Sequence, residues 1–332
     1  MASLGKVLVT GGAGYVGSLL VPQLLSHGYE VTVLDLFLYG DEVFPGFERH
    51  RGLRKIKGDI RDAALVKDAV AGQDAVIHLA CISNDPSFEL DPGLGKSINY
   101  DAFRPLVRAV KEAGVKRFVN ASSSSVYGVK SEPEVTEDLS LEPITDYGKY
   151  KMMCETTLAE ERDPALTTVS VRPASLMGYA PRQRLDLTVN ILTTHAVLNN
   201  KITVFGGEQQ RPNLHIDDMI DLYRLLLELP SERIDGKVFN VNSENETVMG
   251  LAERVRAALG LDIPIERTET KDNRSYRTSA ARLASELGFV PRKTIEDATR
   301  ELAGALASGL LPDALTDERY YNVKRMKSVK LS

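Results

Sequence analysis

The sequence contains no tryptophan, only two cysteines and no long apolar run. Cys81 and Cys154 cannot build a disulfide framework, and no closely spaced Cys and His residues around them suggest a metal site. The residues before Lys6 lack the charged head and apolar core of a signal peptide. No stretch reaches the roughly 18 uninterrupted apolar residues that a membrane span needs. We therefore expect a cytoplasmic protein with two packed thiols, no metal and no membrane partner.

A strong excess of one charge is also missing, because 41 basic residues stand against 46 acidic ones and give a formal net charge of −5. This balance predicts no nucleic-acid partner. Four basic residues near the C-terminus, which we interpret as a solvated and frayed tail, are Lys324, Arg325, Lys327 and Lys330. At 332 residues, with 43% hydrophobic and 26% charged side chains, the chain has the composition of a globular protein of one or two domains.

The first half of the chain alternates strand-like runs with helical patterns, which predicts a parallel sheet covered by helices on both faces. The predicted strands are residues 6–10, 30–34, 54–58, 74–79, 116–121 and 166–172. The predicted helices fill much of residues 15–27, 62–71, 97–113 and 147–161, and residues 37–51 are predicted to be a loop. Right-handed crossovers then favour a doubly wound, Rossmann-type sheet.

The pattern becomes shorter and mixed after Arg172. It predicts helices at 187–199, 217–229 and 248–259, and strands at 201–206, 237–241 and 263–267. We therefore predict an α/β protein with two domains. Residues 1–174 form a dinucleotide-binding Rossmann domain, to which the chain returns around 215–243. Residues 175–214 and 244–332 form a smaller mixed α/β substrate-binding domain.

A glycine-rich turn connects the first predicted strand to the first predicted helix. It contains Gly11, Gly14, Tyr15, Val16 and Gly17. Glycines at this place let the backbone approach a diphosphate, and the helix N-terminus supplies free N–H donors. The second predicted strand ends in Asp35, about 20 residues further on, where an acid accepts hydrogen bonds from an adenosine ribose. The pattern predicts a dinucleotide site, and a structural turn without a ligand is the alternative.

The carboxyl ends of the next strands carry further candidates, because ligands of open α/β sheets bind there. Asp59, followed by Ile60, can accept from an adenine amino group. Leu79 and Ala80 can lie against the cofactor after the fourth strand. His78 is a possible base, although a histidine at this place is more often structural.

Tyr147 and Lys151 are four residues apart and therefore lie on one face of the predicted helix. A free phenol has a pKa near ~10 and is a poor base at neutral pH, but a neighbouring ammonium favours the phenolate. The phenolate can then remove a proton from an alcohol while hydride leaves the same carbon. The serines at 122–125 can supply a hydroxyl that aligns the oxygen. A polar loop and a surface Tyr/Lys pair are the alternatives.

Taken in order, these motifs resemble the extended short-chain dehydrogenase/reductase family, in its nucleotide-sugar epimerase/dehydratase branch. The resemblance rests on the glycine turn, Asp35, Asp59-Ile60, the serines before Val126-Tyr127-Gly128, and Tyr147-x-x-x-Lys151, and residues 211–218 resemble the branch's substrate-side motif. It implies that Tyr147 is the base, that Lys151 lowers its pKa and holds the nicotinamide ribose, and that Ser123 aligns the hydroxyl. It also implies that Asn99 steadies the helix beside the cofactor. Asp35 implies NAD, because a carboxylate repels the extra phosphate of NADP.

The implied partner is a nucleotide-diphosphate sugar. The candidate substrate-binding residues are Ser83, Asn84, Ser123, Ser175, Arg184, Asn190, Thr203, Arg211 and Arg274. A diphosphate needs cations, and we prefer Arg274 to Arg277 in the loop at 271–277. A surface salt bridge, a packed strand or, for Asn84, a helix cap is the alternative for these residues. The resemblance also implies a homodimer in which the helices at 97–113 and 147–161 form a four-helix bundle.

Departures from the family pattern reduce the number of reactions that we expect this chain to catalyse. The 4,6-dehydratases of this branch place an Asp-Glu pair where this chain has Ser124 and Ser125, so we do not expect dehydration. Ser125 also replaces the cysteine acid of related 3,5-epimerases, whereas Tyr150 and Pro212 replace the usual serine and acid near the substrate. We expect an NAD-dependent nucleotide-sugar epimerase that abstracts hydride at C4 and forms a transient 4-keto sugar. A 4-dehydrogenase or ketoreductase with net redox is the first alternative, and a non-catalytic dinucleotide-sensing protein is the second.

Overall fold

The computed structural model of the protein describes residues 5–270, 274–329 and 331. Lys330 of the basic tail and residues 271–273 of the predicted diphosphate loop lie outside this part. The strands are β1 (Lys6–Thr10), β2 (Glu30–Asp35), β3 (Leu53–Lys57), β4 (Ala75–His78), β5 (Arg117–Ala121), β6 (Thr167–Pro173), β7 (Ser175–Met177), β8 (Ile202–Phe205), β9 (Gln210–His215), β10 (Lys237–Val241), β11 (Glu244–Thr247) and β12 (Ile265–Thr268).

Helices alternate with these strands in the first half of the chain. The helices are α1 (Gly17–Ser26), α2 (Ala63–Val70), α3 (Asp85–Phe88), α4 (Pro92–Lys96), α5 (Phe103–Glu112), α6 (Asp146–Glu160), α7 (Thr188–Asn199), α8 (Ile216–Glu228), α9 (Ser231–Ile234), α10 (Val248–Leu259), α11 (Ala281–Leu287), α12 (Ile295–Ala307) and α13 (Asn322–Val329). A π-helical turn at Ser97–Asp101 interrupts the helix predicted at 97–113. Within the described residues, no helix has both the length and the apolar content required to cross a membrane.

A seven-stranded parallel sheet forms the centre of the fold, with the strand order β3-β2-β1-β4-β5-β6-β10. On β1, Val7 and Val9 belong to the hydrophobic core on one face of the sheet, whereas Leu8 belongs to the core on the other face. Both faces are therefore covered, as expected for a continuous apolar strand in a doubly wound fold. The predicted Rossmann-type α/β fold is confirmed.

The second half of the chain adds two smaller sheets. One is three-stranded with the order β11-β9-β7, and β12 pairs with β8 in parallel to form the other. Helices α7, α10 and α12 share one further hydrophobic core, which includes Val189, Leu251 and Ile295. Strand β10 lies in the large sheet, at the position to which we expected the chain to return. The division into two domains at residue 174 stays a prediction.

The interpretation of the C-terminus as a frayed tail is wrong. Residues Asn322–Val329 form helix α13, and Asn322 is buried. Met326 and Leu331 pack against the hydrophobic core on the α5 side of the large sheet. The basic residues were a poor guide because Lys324 and Lys327 are exposed, whereas Asn322, Met326 and Leu331 make the contacts.

Candidate functional site

A cavity of about 710 Å³ extends from the carboxyl ends of the central strands to strand β8 and the chain around Arg274. Every predicted site residue lies within the described part of the chain, and all of them line this cavity except Asn99 and Asn190. The structure thus brings together residues that are up to about two hundred and sixty positions apart in the sequence.

The glycine turn forms the wall of the cavity at the start of α1. Gly11 has a φ of 71°, and a Cβ on this residue would lie 2.5 Å from the amide nitrogen of Ala80. A Cβ on Gly17 would lie 2.1 Å from the carbonyl oxygen of Gly12. The backbone of the glycine turn therefore lies close to the loop after β4 and to the start of α1. Gly14 and Gly17, where α1 begins, line the cavity, and the N-terminus of a helix fits the diphosphate of a dinucleotide.

Asp35 ends β2 and lines the cavity. Its carboxylate accepts hydrogen bonds from the backbone N–H of Ala13 at 2.9 Å and of Phe37 at 2.7 Å. Burial raises the pKa of Asp35, while these hydrogen bonds oppose the shift. Asp35 therefore lies in the cavity, and its contact with the adenosine ribose stays a prediction.

Asp59 lines the cavity beyond β3 and already has a cationic partner. The guanidinium of Arg61 donates to its carboxylate, with an Nη2–Oδ2 distance of 2.7 Å. Burial raises the pKa of Asp59, but the hydrogen bonds from Arg61 outweigh it and place the pKa below its ordinary value. The proposed contact with an adenine amino group therefore depends on a carboxylate that Arg61 holds in place.

Ser123, Tyr147 and Lys151 meet at the carboxyl end of β5. Helix α6 begins beside them, where the side chain of Thr145 accepts a hydrogen bond from the N–H of Gly148. The Lys151 ammonium lies 5.9 Å from the centre of the Tyr147 ring. Burial raises the pKa of Tyr147 to about 12, whereas Lys151 and a hydrogen bond with Ser123 act to lower it. Lys151, which we expected to favour the phenolate, therefore lies beside Tyr147, and Ser123 also acts in that direction.

Two residues near this group differ in their roles. Cys81, which we predicted to be a packed thiol, is only half-buried and lines the cavity, whereas Cys154 is buried as predicted. Burial lowers the pKa of Lys151, but Cys81 and Tyr147 raise it and the net shift is upward.

His78 is buried, lies 2.8 Å from the hydroxyl of Thr10 and has a pKa that burial lowers to about 3. It is therefore a neutral residue of the scaffold, as expected.

A buried ion pair behind the site went unnoticed in the sequence. Glu155, one turn after Lys151 on α6, accepts from Arg172 of β6 with an Nη2–Oε2 distance of 2.6 Å. Glu155 also accepts a hydrogen bond from Ser122, and Arg172 donates to the hydroxyl of Tyr127 at 2.7 Å. This network ties α6 to β6 and to the serine run, so it fixes the helix that carries Tyr147.

Arginines are prominent at the other end of the cavity. Arg274 forms an ion pair with Asp85, and Arg211 donates a hydrogen bond to the backbone carbonyl of Arg274. Arg277 is exposed and does not line the cavity. Ser124 is 3.1 Å from the hydroxyl of Tyr276 in the same region. Tyr276 also lines the cavity, although it was not among the predicted site residues.

Asn190 requires a correction. We expected it to contact the substrate, but it is fully buried behind the cavity wall. Its amide nitrogen donates to the carbonyl of Arg184 at 2.8 Å, and its oxygen accepts from the N–H of Gly178 at 3.0 Å. Tyr15 lines the cavity, but its hydroxyl donates to the carbonyl of Gly178. These polar groups hold the scaffold together.

Two other asparagines support the loop after β4. The carboxamide of Asn99 accepts from the N–H of Ile82 at 2.8 Å and donates to its carbonyl at 3.0 Å, so Asn99 acts on the cavity only through this loop. Asn84 caps α3 by accepting from the N–H of Ser87 at 3.0 Å, which is the alternative that we considered. Asn84 also lines the cavity.

A glycine turn, a buried acid after β2 and a Ser/Tyr/Lys group on one cavity define a dinucleotide-dependent dehydrogenase-type site on a Rossmann fold. Comparison with known proteins identifies the family. The chain belongs to the NAD dependent epimerase/dehydratase family, whose model matches residues 7–242. It is an NAD-dependent enzyme of the extended short-chain dehydrogenase/reductase type, as the sequence motifs indicated.

Individual relatives cover most of the chain. It is 32% identical over 282 residues to a UDP-glucose 4-epimerase of Lactobacillus helveticus, covering 78% of this chain and 83% of that one. It is 30% identical over 313 residues to a dTDP-glucose 4,6-dehydratase of Streptomyces niveus, covering 88% and 90%. A structure of UDP-glucuronic acid 4-epimerase from Bacillus cereus, solved with UDP-glucuronic acid and NAD, superimposes with a TM-score of 0.81 at 25% identity and covers 91% and 99%. These relatives catalyse different reactions.

Proposed function

We propose that the protein is a nucleotide-sugar epimerase that oxidises C4 of the sugar to a transient ketone and reduces it again on the other face. The observation that carries this proposal is the position of Ser123, Tyr147 and Lys151 on the same cavity as the glycine turn, with serines rather than acids at 124 and 125. The first three residues are the groups that an alcohol oxidation needs. The serines are the point at which the chain departs from the dehydratases.

In this reaction Tyr147 is the base. Its phenolate takes the proton of the C4 hydroxyl, and the hydroxyl of Ser123 holds the same oxygen in line. The glycine turn and Asp35 would hold NAD, which would supply the acceptor for the C4 hydride and the source of its return. Lys151 stabilises the phenolate by its positive charge, because opposite charges at short distance favour the ionised form. Tyr147 returns its proton to the oxygen when the ketone is reduced.

Dehydration would additionally require an acid that protonates the leaving hydroxyl. Ser124 cannot do this well, and its hydroxyl is beside Tyr276. Two carboxylates on this side of the cavity are paired with arginines, Asp85 with Arg274 and Asp186 with Arg184. Among the described residues that line the cavity, these acids support binding better than proton transfer. We therefore favour epimerisation over dehydration.

The substrate is a nucleotide-diphosphate sugar in this proposal. Arg211 and Arg274 stand at the end of the cavity away from the glycine turn and supply cations for the diphosphate. Thr203 and the exposed ring of Phe205 border the cavity beside them, where the base would lie. Ser83, Asn84 and Ser175 also line the cavity. The sugar would then face the catalytic group.

The experiment is a panel of nucleotide sugars followed by proton NMR, with no NAD added to the purified protein. An epimerase yields the C4 epimer with no net change in NADH absorbance. A 4-dehydrogenase or ketoreductase would instead require added NAD(H) and change that absorbance, and a dehydratase would yield a 4-keto-6-deoxy sugar. A protein that binds NAD but converts none of the sugars would favour the sensing alternative.

We also propose the assembly and compartment that the sequence suggests. The protein would be a cytoplasmic homodimer in which α5 and α6 pack against the same helices of a second copy. Within one chain, Arg104 and Arg108 of α5 pair with Glu161 after α6, so the two helices form one unit. The oligomeric state in solution, measured by light scattering, tests this proposal.

A further inference from the structure

Helix α13 connects the two loops that flank the cofactor half of the cavity. Arg325 donates a hydrogen bond from Nε to the carbonyl of Leu38, in the loop after β2, at 2.6 Å. Asn322 donates from Nδ2 to the hydroxyl of Ser83, in the loop after β4, at 2.9 Å. Met326 on the same helix lines the cavity between these contacts. The helix therefore forms an outer wall of the dinucleotide site.

Asn322 is the central contact of this wall. It is only 2% exposed. Its oxygen accepts a hydrogen bond from Nη2 of Arg182 at 2.6 Å, and its backbone N–H donates to Asp186 at 3.0 Å. One side chain at the start of α13 thus links Arg182 to Ser83 across the cavity.

Arg182 is placed for an anion. Its backbone N–H donates to the hydroxyl of Ser18, in the first turn of α1, at 3.2 Å. Its guanidinium stacks on the ring of Tyr39 at 3.5 Å. Arg182 lines the cavity and is 4% exposed, yet its Nε and Nη1 groups have no hydrogen-bond partner among the described residues.

Buried donors without partners are costly, and burial also lowers the pKa of this arginine. An anion in the cavity beside the start of α1 would compensate this buried charge. The diphosphate of a dinucleotide is such an anion, and the glycine turn that would bind it lines the same cavity as Arg182. The residues fit the cofactor of the family.

We propose that Asn322 is a positioning residue of the NAD site, which orients Arg182 towards the cofactor diphosphate, and that α13 retains NAD in the enzyme between turnovers. The proposal rests on NAD being the cofactor and on no particular sugar. It suits an epimerase in particular, because a hydride stored on NAD returns to the same sugar only if the cofactor stays bound.

The test compares substitutions at Asn322 with a control on the solvent side of the same helix. Asn322→Leu removes both hydrogen bonds, whereas Asn322→Asp keeps an acceptor for Arg182. Lys327→Ala changes an exposed residue of α13. The readouts are the rate at which bound NADH dissociates, followed by fluorescence, and the increase in melting temperature caused by NAD.

We expect Asn322→Leu to increase the rate of NADH dissociation about tenfold or more. This is the effect expected when a hydrogen bond to a charged group is lost. Asn322→Asp should largely restore retention, and Lys327→Ala should match the wild type. Arg182→Gln should weaken retention to a similar degree, and the Arg182→Gln, Asn322→Leu double variant should lose little more, because the two residues act as one unit.

The proposal is overturned if Asn322→Leu lowers the melting temperature equally with and without NAD and leaves NADH dissociation unchanged. If Asn322→Leu does not fold, the Arg182→Gln variant is the test. Unchanged NADH dissociation in Arg182→Gln would then refute the proposal. Because these measurements need no sugar, they can refute the role of Asn322 without bearing on the proposed epimerase reaction. A protein that retains NAD but epimerises nothing would reject only the latter.

Discussion

The ammonium of Lys151 lies 5.9 Å from the ring centre of Tyr147 and donates a hydrogen bond to the carbonyl of Ala121 at 2.6 Å. This bond ties the positive charge to the end of β5, next to Ser123. Burial raises the pKa of Tyr147, and the fixed ammonium opposes that shift. The position of one charge therefore decides how much phenolate is present.

Substitution of Tyr147 by phenylalanine removes the proposed base but keeps the ring. We expect turnover to fall by about 10²- to 10⁴-fold, the usual contribution of a general base. NAD binding should change little, because the glycine turn and Asp35 are untouched. The measurement is the epimerisation rate by NMR together with an NAD titration. Wild-type activity in Tyr147→Phe would refute the assignment.

The pH profile tests the role of Lys151. Below the pKa of Tyr147 the phenolate fraction, and with it kcat/KM, rises with pH. Replacing Lys151 by methionine removes the charge that lowers this pKa, so the pKa rises and the rising limb moves to higher pH by about one unit or more. Activity at neutral pH therefore falls and recovers partly in alkali. If the rising limb of the pH profile does not move in the Lys151 variant, a group other than Tyr147 controls it.

The buried pair of Glu155 and Arg172 predicts a stability effect. Their side chains are 8% and 5% exposed, so Glu155→Gln leaves an uncompensated guanidinium and should reduce the free energy of unfolding by roughly 3–5 kcal/mol. The double variant with Arg172→Met should recover part of this loss. Glu160→Gln, on the exposed side of the same helix, is the control and should leave urea denaturation unchanged. Equal effects of Glu155→Gln and Glu160→Gln would contradict the burial argument.

Much of the fold could be predicted because strands and helices follow periodic patterns. Strands β1 and β10 agree with the predicted bounds, and most other large-sheet strands differ by about one residue. Strands β7 and β11 were missed because they have only three and four residues, and β9 was missed because it contains Pro212 and makes no clear alternation. Helix α6 was predicted only one residue late, which placed Tyr147 and Lys151 on one face.

The parts of the site that escaped prediction depend on contacts between distant segments. Asn322 and Ser83 are 239 residues apart, and nothing in the local sequence of either marks the pair. Arg182 was not among the predicted site residues, because its partner Tyr39 comes from the first half of the chain. Conversely, the position of Asn190 near the start of a predicted helix suggested a contact with substrate. In the structure α7 packs with Asn190 facing the protein interior.

Cofactor choice depends on Asp35. Asp35→Asn removes the negative charge but keeps an oxygen for one backbone N–H, so we expect the ratio of NAD to NADP affinity to fall by about tenfold or more. Asp59→Asn is a matched control, because Asp59 also lines the cavity but is paired with Arg61. Affinities come from titration with both cofactors. Equal shifts in the two variants, or tight NADP binding by the wild type, would reject the role given to Asp35.

Arg274 and Arg277 provide a matched pair for the substrate diphosphate. Both arginines lie within two residues of Tyr276. Arg274 lines the cavity and pairs with Asp85, whereas Arg277 is exposed and does not line the cavity. A diphosphate competes with Asp85 for the guanidinium and carries more charge, so it should take over the contact when substrate binds. Arg274→Ala should raise KM for the nucleotide sugar about ten- to a hundredfold with a smaller change in kcat, and Arg277→Ala should leave both unchanged. Steady-state kinetics on the two variants separates a role in binding from general damage to the loop. If Arg277→Ala raises KM as much as Arg274→Ala does, the diphosphate lies elsewhere.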